Sequence, residues 1–427
     1  MTRFAPAARL RGELRPPPDK SISHRAAILA AMGEGETRVE GYLDSADTRS
    51  TLAAVAAVGA EVAIAAGEAG LEARIGGVGL RGPRPAEIDV GNAGTLLRIL
   101  PGWLAGQGAG EWVLDGDDSI RRRPVDRIAV PLRAMGAAVE CREARLPPLR
   151  VTGSALTGTE HRLAVASAQV KSCLLLAGLL AEGETTVIEP SPSRDHSERM
   201  LAAAGARLHR ADTAVTIEPA SELRLGEVAV PGDFSSAAFW IVAATLAGDS
   251  EVRLRGVNLN ETRTGLLPIL ERMGAAVEAE PGGTSGGEPA GDVVARHGPL
   301  RSTLVRGEEV PRAIDELPLV GLAACFAEGD TRVVDAAELR HKESDRIAAT
   351  VGVLNALGGD AEELEDGFVV RGTGGLRGGA IDSGGDHRVA MLGAIAGLAS
   401  REGAEVRGME AAAVSYPGFE RDLAGLL

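Results

Sequence analysis

The chain has 427 residues, 44% of them apolar, so it is long enough for two or three domains with large cores and is not a disordered chain. Its 45 lysines and arginines are outnumbered by 60 aspartates and glutamates, which gives a net charge of −15. Such an acidic protein is a poor binder of nucleic acids or of anionic membranes. An anionic substrate would therefore need positive side chains concentrated at one place.

The cysteines and the N-terminal residues indicate a compartment. Cys141, Cys173 and Cys325 lie far apart and form no CxxC pair, so they predict neither a disulfide framework nor a metal site. The first residues lack the apolar stretch of a signal peptide, and no apolar run of about eighteen residues occurs. We expect a cytoplasmic protein without a membrane segment.

The first strong pattern is a proline run, Pro16–Pro18, followed by an apolar stretch of helix-forming residues. Proline keeps the chain extended, so a helix is predicted to begin just after it, with Lys20, Ser21 and Arg25 on its first turns. Free N–H groups and the positive end of the helix dipole favour a bound anion there. Two positively charged side chains at the same end are unfavourable unless an anion is bound between them. The functional interpretation is a phosphate or carboxylate site. The alternative is a solvent-exposed helix start.

One unit recurs six times along the chain: an apolar helix, a glycine turn, a valine-rich strand, a polar loop and a second helix. The first five second helices end at glycines that recur roughly every 70–80 residues, namely Gly59, Gly136, Gly205, Gly274 and Gly358. The sixth second helix is predicted over 416–427. Six such units predict either one closed array or two domains of three, with a boundary near 228–232. The stretch 281–287 predicts a surface loop inside the fourth unit.

Polar residues cluster where the first helices of these units begin. The predicted starts are 92–95, 167–169, 232–233, 315 and 386–388. Capping accounts for Ser, Asp and Asn at such positions. It does not account for the cations at helix starts, which are Lys20, Arg25, Arg98 and Arg388. The glycine of 92–95, Gly94, would let backbone N–H groups approach a ligand closely.

Three loops that lead into second helices carry further charge, at 121–124, 193–196 and 340–346. Surface salt bridges are the simple explanation for each loop alone. Together with the helix starts, the loops favour a convergent anion site. The seven histidines show no zinc-ligand spacing, and no GxxxxGK[ST] or strand-linked GxGxxG occurs. No metal or cofactor is therefore predicted.

Several segments, taken together, resemble 5-enolpyruvylshikimate-3-phosphate (EPSP) synthase, the sixth enzyme of the shikimate pathway, and the resemblance runs nearly end to end. They are Asp-Lys-Ser-Ile-Ser-His-Arg at 19–25, Gly-Asn-Ala-Gly-Thr at 91–95, Lys-Glu-Ser-Asp-Arg at 342–346 and Asp-His-Arg at 386–388. Ser-Ala-Gln-Val-Lys-Ser at 167–172 and Ser-Arg-Asp-His at 193–196 are similar to the class II bacterial branch.

The resemblance implies an α/β fold with two domains, each of three βαβαββ units arranged as an inside-out α/β barrel, with a cleft between them. The implied domains are residues 20–230, and residues 1–19 plus 231–427. The implied protein is a monomer with small-molecule substrates and no cofactor.

The implied reaction transfers the enolpyruvyl group of phosphoenolpyruvate to the 5-hydroxyl of shikimate 3-phosphate and releases phosphate. It serves chorismate and aromatic amino acid biosynthesis, and the family is the target of the herbicide glyphosate. Both substrates are polyanions, which would explain clustered cations in an acidic protein. Gly94 alone does not decide whether this chain is sensitive to glyphosate.

The resemblance also implies roles for individual residues. The shikimate 3-phosphate contacts are Lys20, Ser21, Arg25, Ser167, Ala168, Gln169, Ser193, Arg194, Asp315 and Lys342. The phosphoenolpyruvate contacts are Lys20, Gly94, Arg123, Gln169, Arg346 and Arg388. The catalytic set is Lys20, Asp315, Lys342 and Glu343. In this set Glu343 is the acid/base at the enolpyruvyl carbon, and Asp315 with Lys342 steers the reacting hydroxyl.

Four positions depart from one branch of the family. Val414 stands in place of a lysine that binds phosphoenolpyruvate, so the full number of cations around that substrate is open. Ile99 replaces a proline, Glu338 an asparagine and Ala168 a serine. None of these departures removes a residue assigned to proton transfer.

Two alternatives remain at this point. The sister enolpyruvyl transferase that acts on UDP-N-acetylglucosamine shares the repeat architecture but usually needs a cysteine in a mobile loop. Here Cys141, the one cysteine outside an apolar helix, falls in a predicted strand. A non-catalytic, anion-binding repeat protein would keep the arginines without needing Asp315, Lys342 and Glu343 together. Phosphate release from the two substrates separates the three possibilities.

Overall fold

A computed structural model describes all residues of the chain, 1–427. The chain divides into two compact units. The first, here called the terminal unit, comprises Met1–Pro17, Gly232–Gly283 and Pro289–Leu427. The second, the inserted unit, comprises Pro18–Pro231 and the short segment Thr284–Glu288. Each unit has its own large apolar core.

The structure contains thirteen α-helices and three short 3₁₀ helices. The α-helices are α1 (Lys20–Met32), α2 (Ala46–Ala57), α3 (Gly94–Ala105), α4 (Asp126–Ala134), α5 (Ala168–Gly178), α6 (His196–Ala203), α7 (Phe234–Leu246), α8 (Leu266–Met273), α9 (Glu309–Ala313), α10 (Leu317–Ala324), α11 (Arg346–Ala356), α12 (His387–Ala399) and α13 (Phe419–Leu426). The 3₁₀ helices are Ile120–Arg122, Ala337–His341 and Met409–Val414. No helix is both long and apolar enough to cross a lipid bilayer.

Twenty-five strands accompany the helices. They are β1 (Thr2–Phe4), β2 (Arg11–Leu14), β3 (Glu36–Tyr42), β4 (Glu61–Gly67), β5 (Gly70–Gly76), β6 (Ala86–Asp89), β7 (Glu111–Asp115), β8 (Ala138–Arg142), β9 (Leu146–Thr152), β10 (Glu160–Arg162), β11 (Thr185–Ile188), β12 (Leu208–Ala211), β13 (Ala214–Ile217), β14 (Glu227–Ala229), β15 (Glu251–Asn258), β16 (Ala276–Ser285), β17 (Glu288–Arg296), β18 (Leu300–Arg301), β19 (Leu304–Val305), β20 (Ala327–Glu328), β21 (Asp330–Val333), β22 (Asp360–Leu364), β23 (Gly367–Arg371), β24 (Gly379–Asp382) and β25 (Ala404–Arg407).

The inserted unit consists of three four-stranded sheets with the same topology, in the orders β14-β3-β5-β4, β6-β7-β9-β8 and β10-β11-β13-β12. In each sheet the first pair is parallel and the other two pairs are antiparallel. A parallel pair needs a crossover connection, and α3 and α5 supply it between β6 and β7 and between β10 and β11. The first sheet is completed by β14, from the far end of the unit.

The terminal unit repeats this plan. Its four-stranded sheets have the orders β16-β17-β15-β2 and β19-β21-β23-β22, and a third sheet of three strands has the order β1-β25-β24. Strand β2 pairs parallel to β15, and β1 pairs antiparallel to β25. The first residues of the chain therefore complete sheets formed by its second half. The predicted six-unit repeat and the two-domain α/β fold are confirmed.

The first helix of each repeat lies in a core. Helices α1, α3 and α5 in the inserted unit and α7, α10 and α12 in the terminal unit are buried over nearly their whole length. Ala, Leu, Ile and Gly occupy the whole circumference of these helices, and a helix without a polar face must be buried. The charged residues of these helices lie within the first two turns, so charged chemistry is confined to the N-terminal ends.

One sequence-based expectation is wrong. The glycine-rich stretch 281–287 does not form a surface loop: it extends β16 and turns into β17 in a long hairpin. Because β16 is the edge strand of its sheet, a proline such as Pro281 is tolerated there. The turn itself requires Gly286 and Gly287, whose φ angles are +56° and +82°. The final helix also begins later than expected, at Phe419 and not at 416.

A buried histidine on α1 predicts how stability depends on pH. His24 is fully buried, and its Nδ1 lies 2.6 Å from the Thr51 hydroxyl. Burial, aided by the charges of Lys20 and Arg25, holds the pKa of His24 well below its usual range. Between that lowered pKa and about 6.5, the unfolded chain binds a proton that the folded chain does not, so stability falls as the pH falls below about 6.5.

We expect His24→Gln to flatten this dependence. The free energy of unfolding should fall less steeply than in the parent protein between pH 6.5 and 5.5, by up to about 1.4 kcal/mol per pH unit. Urea unfolding at a series of pH values measures it. His297→Gln, at an exposed position, is the control and should follow the parent slope. Parallel curves for His24→Gln and the parent would contradict this assignment.

Candidate active site

The N-terminal end of α1 places two cations among polar partners. Asp19 caps the helix by accepting from the Ile22 N–H at 3.0 Å, and Lys20 Nζ lies 2.5 Å from Asp47 Oδ2. Because Asp47 is buried, this ion pair holds Lys20 close to the end of the helix. The predicted helix start after the proline run is confirmed.

Arg25 lies one turn further along α1 and is buried. Its guanidinium donates to the Ser197 hydroxyl at 2.7 Å, to the Ser172 hydroxyl at 3.0 Å and to the Ser21 carbonyl at 3.0 Å. Burial lowers the pKa of Arg25 to about 10, and the nearby charge of Arg194 contributes in the same direction. Two neighbouring guanidinium groups are what an anionic ligand requires.

The N-terminal ends of α3 and α5 meet within the inserted unit. Gln169 Nε2 donates to the Thr95 hydroxyl at 3.1 Å, and Arg98 Nη1 donates to Gln169 Oε1 at 3.2 Å. The Ser167 side chain caps α5 by accepting from the Val170 N–H at 3.5 Å. The dipoles of both helices therefore add to the local positive charge.

Gly94, the first residue of α3, leaves room between two arginines. Arg123 Nη2 is held by Asn92 Oδ1 at 2.8 Å. A Cβ added at Gly94 would lie 3.0 Å from Arg123 Nη1 and 3.1 Å from Arg98 Nη1. Any side chain at this position would therefore crowd both guanidinium groups.

A carboxylate fixes the loop before α6. Glu189 Oε1 accepts from the Ser193 hydroxyl at 2.5 Å and from the Ser167 N–H at 3.0 Å. Its other oxygen lies 2.6 Å from Lys171 Nζ. Ser193 is buried and Arg194 beside it is half-buried. The two segments that the sequence assigned to one phosphate, 167–169 and 193–194, are thus joined through Glu189.

In the terminal unit, Arg346 is surrounded by three carboxylates. The guanidinium lies 2.5 Å from Glu343, 2.9 Å from Asp386 and 3.2 Å from Asp315. Burial alone would lower the pKa of Arg346, but these three charges raise it above its usual value, so the group stays cationic. Burial raises the pKa of Asp386, but the charges of Arg346 and His387 and the hydrogen bond from Arg346 together lower it, and the net direction is down.

Asp315 lies among three cations. Besides Arg346, its carboxylate oxygens are 3.7 Å from Lys342 Nζ and 3.5 Å from Arg388 Nη2. The distances to Lys342 and Arg388 are longer than those of tight hydrogen bonds. Small side-chain rotations would therefore allow the Lys342 ammonium and the Arg388 guanidinium to reach a ligand. The cluster brings Asp315, Lys342, Arg346 and Arg388 together around one carboxylate.

Glu343 differs from the other carboxylates of this cluster in its exposure. Its side chain is 34% exposed, against 11% for Asp315 and none for Asp386. Asp386 is committed to the cap of α12, where it accepts from the Arg388 N–H at 2.9 Å. Glu343 is therefore the most exposed of the three carboxylates around Arg346, and its bond to Arg346 determines where it points.

Asp345, two residues further along, is used structurally. One of its oxygens caps α11 by accepting from the N–H groups of Ile347 and Ala348, both at 3.1 Å. The other lies 2.7 Å from Arg340 Nη1. The Asp345 side chain is also partly exposed, at 39%, but both of its oxygens are engaged in holding the segment together, by the cap of α11 and by Arg340.

Several residues whose side chains hold the predicted site residues in place were not predicted from the sequence. They are Asp47, Lys171, Glu189, Ser197 and Glu198. All five are buried, and all but Lys171 and Ser197 are acids. A lysine within the apolar run of α5 was the available signal, because a buried ammonium requires a carboxylate partner.

Comparison with known proteins was decisive. The family model for EPSP synthase (3-phosphoshikimate 1-carboxyvinyltransferase) matches residues 4–423. The chain belongs to the EPSP synthase family. A family protein of Desulforudis audaxviator, named 3-phosphoshikimate 1-carboxyvinyltransferase, is 46% identical over 99% of both chains. A protein of the same name from Synechococcus sp. JA-3-3Ab is 48% identical over 97% of this chain and 94% of its own.

The solved structures agree. An EPSP synthase from Acinetobacter baumannii superposes with a TM-score of 0.87 at 40% identity, covering 99% of this chain and 97% of that one. The sequence-based predictions of an EPSP synthase fold and of a carboxyvinyltransferase of the shikimate pathway are confirmed. The UDP-N-acetylglucosamine enzyme and the non-catalytic repeat protein are not supported. Cys141 lies on β8 as predicted.

Gly94→Ala tests the space at the start of α3. We expect the KM for phosphoenolpyruvate to rise about tenfold, because the new methyl group displaces the guanidinium ends of Arg98 and Arg123 by a few tenths of an ångström. Steady-state kinetics with each substrate varied in turn measures it.

Gly352→Ala is the matched control, since this glycine lies inside α11 and an added Cβ meets nothing within 4 Å. The control should keep its KM and gain up to about 1 kcal/mol of stability from helix propensity. An unchanged KM in Gly94→Ala would show that the arginines accommodate the methyl group and that the gap has no role in binding.

Proposed function

We propose that this EPSP synthase transfers the enolpyruvyl group of phosphoenolpyruvate to the 5-hydroxyl of shikimate 3-phosphate, with release of phosphate. The observation that carries the proposal is the environment of Glu343, a solvent-accessible carboxyl held by a buried arginine within the cluster of Asp315, Lys342 and Arg388. An anion-binding protein would need the cations but not an accessible carboxyl among them. The family name, 3-phosphoshikimate 1-carboxyvinyltransferase, describes the same transfer.

The inserted unit supplies most of the shikimate 3-phosphate contacts in this proposal. Arg25 and Arg194 provide charge, and the ends of α1 and α5 provide N–H groups. The proposed contacts in this unit are Lys20, Ser21, Arg25, Ser167, Ala168, Gln169, Ser193 and Arg194. The terminal unit adds Asp315 and Lys342 at the reacting hydroxyl.

Phosphoenolpyruvate is bound through its phosphate and its carboxylate. The proposed contacts are Lys20, Gly94, Arg123, Gln169, Arg346 and Arg388. Bidentate guanidinium groups suit both anionic groups of this substrate, and Gly94 leaves room for it beside Arg123. Val414, at the end of the last 3₁₀ helix, contributes no charge at the position where the resemblance to one branch of the family implied a lysine.

Proton transfer is assigned to the carboxylates of the terminal unit. The methylene carbon of phosphoenolpyruvate takes a proton while the 5-hydroxyl, whose proton passes to Asp315 beside Lys342, attacks the neighbouring carbon. The tetrahedral intermediate then loses phosphate as the methyl group returns a proton. Glu343 gives and later takes the proton at the carbon, and Lys20 stabilises charge on the leaving phosphate.

We also propose that the enzyme works as a monomer in the cytoplasm with small-molecule substrates and without a cofactor. No nucleic-acid or membrane partner is part of this proposal. The net charge of −15 supports the absence of these two partners, because an acidic protein repels both nucleic acids and anionic membranes.

Glu343→Gln is the direct test. The amide keeps its size and its contact with Arg346 but cannot carry the proton, so kcat should fall at least about 100-fold. Exchange of the methylene protons of phosphoenolpyruvate with deuterated water should slow in parallel, while calorimetric affinity for shikimate 3-phosphate stays within about threefold.

Asp345→Asn is the control, because the amide oxygen can still cap α11. It should retain kcat within about threefold. If Glu343→Gln instead kept the parent turnover and exchange rate, Glu343 would lose its role. A loss in Asp345→Asn alone would transfer that role to Asp345.

A further inference from the structure

Lys171 is a buried cation for which the proposed mechanism has no use. It lies on α5 within an apolar run, and its side chain is 3% exposed. Nζ lies 2.6 Å from Glu189 and 2.9 Å from Glu198 and also reaches the Ser193 carbonyl at 3.4 Å. Burial alone would lower the pKa of Lys171, but the two glutamates raise it, so the ammonium stays charged.

Glu189 connects this cation to both predicted phosphate-binding segments. Its carboxylate accepts from the Ser167 N–H at 3.0 Å and from the Ser193 hydroxyl and N–H at 2.5 and 3.3 Å. With Lys171, four donors converge on one carboxylate that is 2% exposed. A charged acceptor with this many donors has one favourable arrangement.

Glu198 extends the network towards α1. It lies on α6 directly after Ser197, whose hydroxyl accepts from Arg25 at 2.7 Å. The charge of Glu198 is also the largest of those that raise the pKa of Arg25 against burial. Lys171 and the two glutamates therefore link the loop before α6, the start of α5 and the arginine of α1.

The energetics indicate that this network serves geometry more than stability. Burying charges is costly, and apolar side chains of the same volume often stabilise a core as well or better. The net charge of the cluster is also close to zero, because the negative charges of the two glutamates offset the positive charges of Lys171 and Arg25. No net negative charge from this network then opposes a bound phosphate.

We propose that Glu189, held by Lys171, is a positioning residue that sets the spacing between the segments 167–169 and 193–194 for the phosphate of shikimate 3-phosphate. It touches no substrate atom. This inference rests on the proposed function and adds to it a residue pair outside the binding contacts. Its specific consequence is a binding defect for one substrate, which a purely structural role would not produce.

The first variant is Glu189→Gln, which keeps the shape but removes the charge that Lys171 requires. We expect the KM for shikimate 3-phosphate to rise at least tenfold, while kcat changes less than threefold and the KM for phosphoenolpyruvate rises at least five times less. Arg194→Ala, which removes a direct contact, serves as the reference for a shikimate 3-phosphate binding defect.

The second variant separates positioning from folding. Lys171→Met with Glu189→Leu and Glu198→Gln removes all three charges of the network, so no buried carboxylate is left without its ammonium partner, and the variant should keep Tm within a few degrees of the parent. We expect its KM for shikimate 3-phosphate to remain raised at least tenfold. Leu149→Ala, in the apolar core of the inserted unit on β9, controls for lost stability and should lower Tm while leaving both KM values unchanged.

The outcomes are distinct. A triple variant with the parent Tm and the parent KM values would overturn the proposal and leave the network a structural role only. Equal rises in both KM values would overturn it as well, because they would indicate general disorder. A parent enzyme that shows no turnover with the two substrates would refute the proposed function and not this inference, which is then judged by calorimetric binding of shikimate 3-phosphate to the same variants.

Discussion

Buried positive charge, balanced by carboxylates within the same unit, is the interaction on which this structure depends. A chain with a net charge of −15 can bind polyanions only where cations are concentrated, yet a buried guanidinium loses its hydration. Arg346 solves this problem with three carboxylates. Arg25 donates to hydroxyl and carbonyl groups, and burial lowers its pKa to about 10 although the charge of Glu198 acts in the opposite direction. The two buried arginines are therefore held by different kinds of partner, carboxylates around Arg346 and mainly neutral oxygens around Arg25.

The repeat fold makes it possible to gather cations at one place. Inner helices that are apolar over their whole circumference must be buried, and their polar first residues are then the natural ligand contacts. Side-chain bonds between the starts of α3 and α5 show this convergence directly, as does the bond from Arg25 on α1 to α5. The second helices lie towards the surface, and the loops that precede them supply Arg123, Arg194 and Lys342.

Much of this was predictable from the sequence. Helix starts, caps and the six-unit repeat follow from local pattern, and signature segments such as 342–346 identify the family. The partners of the signature residues were not predictable, because Glu189 lies 22 residues from Ser167 and Asp386 lies 40 from Arg346 in the sequence. The glycine-rich hairpin was missed because local composition indicates a loop, while pairing with β17 decides the outcome.

The central claim is that the accessible carboxyl of Glu343 and the clustered cations act in one transfer reaction. The most direct measurement is release of inorganic phosphate by the purified chain, with the organic product identified by mass spectrometry. The account predicts phosphate equal to the phosphoenolpyruvate consumed, only when shikimate 3-phosphate is also present, and a product with the mass of the enolpyruvyl ether. Absence of phosphate release with both substrates, or release that requires UDP-N-acetylglucosamine instead, would contradict it.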